Sequence, residues 1–155
     1  MAVELARDFD ELVAEIISFA ESCSAEEWRT LCPEEERTVG VVFDHIADGY
    51  VAVDRWITSH VAGRPVLTTP DAIHEANAIH AQSVADRPQA ETITHLRESA
   101  VRTSELFGRL TEEQLHISQP FGPAGGLPVE TTRLVALASR HGSSHFESIR
   151  SALGR

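Results

Sequence analysis

The stretch that decides the fold is LVALASRHGSSHFESIRSAL, residues 134–153. Leu134, Leu137, Ala138, Ile149 and Leu153 recur at helical spacing, so they form one apolar stripe on a helix of 3.6 residues per turn. His141 and His145 fall on that same stripe. An imidazole away from water needs partners for both ring nitrogens, and an unmet one costs on the order of 1–3 kcal/mol. Two histidines where leucines belong therefore require something to meet them. Residues i and i+4 stand about 40° apart around the axis and one turn apart along it, so the pair can direct nitrogens at one point, as a chelating pair does. The bland alternative is two packed histidines bonded to carbonyls or carboxylates, which is the commoner state of any one such residue.

Working outward, helical periodicity dominates the chain and no run alternates as a strand does. A first helix is expected over 3–22, with Leu5, Phe9, Leu12, Val13, Ile16 and Ile17 on one face. SAEE at 24–27 has the pattern of a capping box opening a short turn with Trp28, and Pro33 closes it. Thr38 is placed to cap a second long helix over 39–62, with Val42, Phe43, Ile46, Tyr50, Val53 and Ile57 inward. Gly63 stops it. Pro70 and Asp71 suit the start of a helix over about 70–85. A further helix is expected over about 89–110, then a second capping box, TEEQ at 111–114, and a last helix over about 129–153. HISQPFGPAGGLP, 116–128, is read as irregular because of its Gly and Pro, and as the lid over a site. The expected fold class is all-α: a four-helix bundle with short extra helical turns, forming a single domain over 1–155.

Composition bounds the function. Of the 155 residues 42% are hydrophobic and 24% charged, and a chain of this length buries roughly 68–70% of its unfolded surface in one core. Thirteen basic against 24 acidic side chains give a formal charge of −11, which sets nucleic acid and anionic membranes aside as partners. No apolar run approaches the roughly 20 residues that span a bilayer, and the N-terminus lacks the basic start of a secretory signal, so a cytoplasmic location is expected. Cys23 and Cys32 are too few for a disulfide framework. Cys32 is a poor nucleophile beside the acids of LCPEEER, which disfavour a thiolate.

A catalytic metal commonly takes three protein ligands and keeps a position open. The best third ligand is His45 in VVFDHIADGY, beside the inward Val42 and Ile46 of another long helix. Asp48, three residues on, is a candidate either to accept a bond from a ligand imidazole or to join the ligands, and a solvated acid is an equal reading. Arg133 and Arg140 are candidates for a substrate carboxylate. Trp28, Trp56 and Phe121 are read as core or rim packing.

Taken in order, TVGVVFDHIADGY, DAIHEANAIHA and RHGSSHFESIR resemble the DinB-like superfamily, which includes the N-terminal domain of mycothiol-dependent maleylpyruvate isomerase. The resemblance covers nearly the whole chain. It implies a four-helix bundle holding a divalent metal, zinc first with nickel or iron as alternatives, on His45, His141 and His145. As a class of chemistry it implies a transferase or isomerase acting on a low-molecular-weight thiol of the mycothiol or bacillithiol kind and an electrophilic co-substrate, with a homodimer as one possible state. The maleylpyruvate activity itself is not carried over. The competing reading is a metal-containing bundle that binds a small molecule or stabilises itself without turnover.

Overall fold

The computed structural model describes residues 1–155. Four long amphipathic helices make the body: α1 (Ala2–Ser22), α3 (Val39–Val61), α5 (Gln89–Arg109) and α7 (Thr131–Leu153). Each buries residues three and four apart, as the sequence periodicity requires: Phe9, Val13, Ile16 and Ala20 on α1, Leu134, Val135, Ala138, Phe146 and Ile149 on α7. Phe9 meets Tyr50 and Phe107 edge-on, with ring centroids 5.0 and 5.2 Å apart, and so ties α1 to α3 and α5.

The principal contacts join both α1 and α3 to α5 and to α7, so α1 and α3 stand on one diagonal of the bundle and α5 and α7 on the other. Consecutive long helices are therefore not side by side at the start of the chain. The connection between them carries α2 (Ala25–Trp28) and a hairpin, β1 (Leu31–Cys32) with β2 (Arg37–Thr38), and β1 packs on α7. That route brings Pro33–Arg37 to the helix that carries the histidine pair.

Both capping boxes form: Ser24 with Glu27 opens α2, and Thr111 with Gln114 opens α6 (Glu112–Leu115). Thr38 occupies the N-cap of α3, yet its side chain makes no capping bond; its backbone is instead paired opposite Leu31 in the hairpin. α4 (Pro70–Ser83) starts as the sequence suggests, with Thr69 Oγ1 accepting from the Ala72 amide at 3.2 Å and Pro70 in the first turn. None of its residues is buried.

Two readings of the sequence need correction. Residues 116–128 are not irregular: β3 (Ser118–Phe121) pairs antiparallel with β4 (Leu127–Glu130), from Ser118 opposite Glu130 to Phe121 opposite Leu127. The glycines and prolines that argued against regular structure make its reversal, since Gly125 and Gly126 both sit at positive φ, 70° and 81°, where other residues are strained. For the same reason α7 begins at Thr131 and not at 129, residues 127–130 being committed to the hairpin. No helix is long and apolar enough to cross a membrane.

Candidate metal centre

His45 leaves α3 from the middle of its buried face and is itself buried. His141 and His145 leave α7 one turn apart, each half-buried. The nitrogens these three offer lie within 4.8 Å of one another, and the ring centroids are 4.6 to 5.0 Å apart. The triad expected from the sequence thus converges from two helices.

Neighbouring residues set the rings. Gly49, one turn beyond His45, makes room: a Cβ there would overlap the His141 ring. His141 Nε2 donates to the His45 carbonyl at 3.3 Å, so the lone pair of His141 falls on Nδ1. His145 Nδ1 donates to Glu35 Oε1 at 2.8 Å, which puts its lone pair on Nε2. Buried Nδ1 of His45 has no protein partner, a group that would cost stability unless something meets it. Burial, reinforced by the charges of His141, His145 and Arg37, pushes the His45 imidazole well below its ordinary range. Burial and then His145 push His141 down to about 4. Both rings are neutral near pH 7, the form that ligates a cation. Three convergent imidazoles with an orphaned buried nitrogen among them fit a borderline divalent ion such as zinc, and nickel or iron accept the same donors.

The triad lines a cavity of about 860 Å³. α3 contributes Asp48, Val53 and Trp56, α7 contributes Leu137, and the opposite wall is the connection 65–68 together with Ile73 and Asn77 of α4. The expected lid is therefore misplaced by one layer. No residue of 116–128 lines the cavity; the hairpin buttresses the wall from behind, through Val66 N to Pro120 O at 3.0 Å, Gly122 N to Val66 O at 2.7 Å, and Phe121 edge-on against Trp56.

The remaining candidates sort by geometry. Asp48 lines the cavity but bonds to none of the three histidines; the carboxylate that does is Glu35. Arg133 and Arg140 are exposed and outside the cavity, since Arg140 stands about 100° around α7 from His141 and Arg133 is two turns before it on the same outer side. The cavity's arginines are Arg37 and Arg55. Trp28 is buried and stacked on Phe43, Phe121 is buried, and Trp56 is half-buried at the cavity. Cys32 is fully buried, and burial with Glu35 and Glu34 pushes its thiol up to about 11, which excludes it as a nucleophile. Cys23 and Cys32 are both free thiols. His60 Nε2 donates to the Val129 carbonyl at 3.2 Å and His80 Nε2 to Asp44 Oδ1 at 2.9 Å, so both are structural. No spacing signal in the sequence pointed to Glu35, Arg37 or Arg55.

A comparison with solved structures matches this arrangement of helices to YfiT from Bacillus subtilis, described as a probable metal-dependent hydrolase with an unusual four-helix bundle topology. The TM-score is 0.73, and the match covers 97% of this chain and 85% of that one. The chain has the YfiT fold. At 18% identity the likeness to YfiT is one of fold. The four-helix bundle implied by the DinB-like resemblance is thus present. No family model matches the sequence, and no curated protein does.

Proposed function

We propose that the chain is a divalent-metal-dependent enzyme acting on small molecules, of the transferase or isomerase class that uses a low-molecular-weight thiol. The observation that carries this reading is a cluster of three imidazoles, without a carboxylate among the convergent donors, on the wall of a cavity large enough for a substrate. His45, His141 and His145 would hold the ion through uncharged donors, and the charge it supplies there would raise the thiolate fraction of a bound thiol near neutral pH.

The protein's own residues do the rest. Glu35 and the His45 carbonyl fix the tautomers of His145 and His141, so both present a lone pair without rearranging. Val53, Trp56, Ile73 and Leu137 give the cavity apolar walls, which strengthen electrostatic effects beside them. Asp48 is the one acid of the cavity wall and the residue placed to take or give a proton there.

A second reading is hydrolysis. YfiT is described as a probable metal-dependent hydrolase, and in such a reaction the same open position would activate water with Asp48 as base. The non-catalytic bundle is the third. Calorimetric titration of mycothiol, bacillithiol and glutathione into zinc-loaded and metal-stripped protein tests the first of the three. Tighter binding of one thiol to the loaded form supports the transferase reading. Equal binding, or none, removes it and leaves hydrolysis or a purely structural metal.

A further inference from the structure

Arg37 is half-buried, lines the metal cavity, and has no hydrogen-bond or ion-pair partner for its guanidinium. That is unusual company for a cation in a chain with 24 acidic and 13 basic side chains. The nearby acids are engaged elsewhere: Glu35 by His145, Glu34 by Ser148, and Asp44 by His80, Arg87 and Thr92. Asp48 shares the cavity and forms an ion pair with neither Arg37 nor Arg55. Arg55 also lines the cavity, about two α3 turns beyond Asp48, and is exposed at its mouth and likewise unpaired. Guanidinium forks in a partly apolar cavity, unmatched by protein carboxylates, are the arrangement that recognises a planar anion.

We propose that the substrate of this cavity carries a carboxylate, and that Arg37, with Arg55 at the rim, is the group that recognises it. The inference rests on the metal-dependent reading above and names the substrate class for it. Two unpaired guanidinium groups against the single acid Asp48 leave the wall net positive even before an ion is bound, which suits an anionic substrate. Arg37 and the three histidines line the same cavity, so one molecule can place its reacting group at the triad and its carboxylate at Arg37. The walls between, Val53, Trp56 and Leu137, call for an apolar spacer.

The test uses matched pairs of probes and the full chain. Into zinc-loaded protein one titrates 3-mercaptopropionate and 3-mercapto-1-propanol; into metal-stripped protein, butyrate and 1-butanol, so that a carboxylate bound to the ion is not mistaken for one bound to arginine. The carboxylate member of a pair should bind about tenfold more tightly. That advantage should vanish in Arg37→Gln, return in part in Arg37→Lys, and persist in Arg133→Gln, whose side chain is exposed and outside the cavity. Should Arg37→Gln fail to fold, Arg55→Gln carries the measurement, with a smaller loss. No carboxylate preference in either pair, or a preference that survives Arg37→Gln combined with Arg55→Gln, overturns the proposal. Failure of both thiols to prefer loaded protein, with butyrate still selected through Arg37, overturns the thiol reading and upholds this one.

Discussion

Nδ1 of His145 donates to Oε1 of Glu35 at 2.8 Å, between residues 110 apart in sequence. The hairpin β1–β2 packs on α7 and delivers the carboxylate there, and both side chains are largely shielded, at 21% and 13% exposure. Such a bond fixes the tautomer and raises the basicity of the opposite nitrogen. Glu35→Gln is expected to weaken zinc binding by about 10–100-fold, read by competition with a chromogenic chelator. Asp48→Asn, which removes no bond to a ligand histidine, should change it far less. An unaltered affinity in Glu35→Gln would contradict the role assigned to Glu35.

Gly49 is the position where α3 lets the His141 ring in. Gly49→Ala should cost about 1–3 kcal/mol of overpacking and displace the imidazole, so that metal content falls more sharply than stability. Metal analysis beside a urea titration reads both. A variant with full metal content would show that the ring has room to spare.

Asp44 is fully buried beside His45 and receives bonds from His80 Nε2 at 2.9 Å, Thr92 Oγ1 at 2.8 Å and both oxygens' worth of Arg87 Nη1 at 2.9 and 3.0 Å. Burial alone would raise its pKa, but the bonds from His80, Thr92 and Arg87 outweigh it and hold the carboxyl below its usual range. His80 lies on α4, which buries no residue of its own, so Asp44 is an anchor of the cavity wall. Asp44→Ala should lose about 3–5 kcal/mol in urea unfolding of metal-free protein, and α4 amides should exchange faster than those of α3. A loss below about 0.5 kcal/mol, the scale of an ordinary surface change, would count against this.

Acid should loosen the site. His141 titrates at about 4 in the folded chain and near 6.5 when unfolded, so between those values the unfolded chain holds a proton that the native state refuses. The stability of the neutral site is therefore whole above about pH 6.5 and falls as pH drops toward 4. Zinc, which needs neutral rings, should add its increment at pH 7.5 and lose it by about pH 5. Urea midpoints with and without zinc across that range are the measurement; an increment unchanged at pH 5 would mean that zinc binds elsewhere.

What the sequence made legible was whatever one helix records about itself. The apolar stripes placed all four bundle helices to within two residues, the two capping boxes formed, and His141 and His145 announced themselves by their spacing. His45 was reachable because it sits beside the buried Ile46. Contacts made across the fold left no such trace. Glu35 meets His145 only because α1 and α3 are diagonal and the chain must pass over α7. Arg133 and Arg140 share a helix with the ligands but not a face, whereas Arg37 and Arg55 reach the cavity from β2 and α3. The hairpin 118–130 escaped because four-residue strands holding Pro120 and Pro128 show no alternation to read.

The central claim is that His45, His141 and His145 hold one divalent ion. The most direct measurement is elemental analysis of protein purified without an affinity tag and equilibrated with zinc, beside His45→Ala, His141→Ala and His145→Ala variants whose helicity is checked by circular dichroism. The account predicts one ion per chain in the parent protein and near-complete loss in each folded variant. One ion per chain retained in any folded single variant would contradict it.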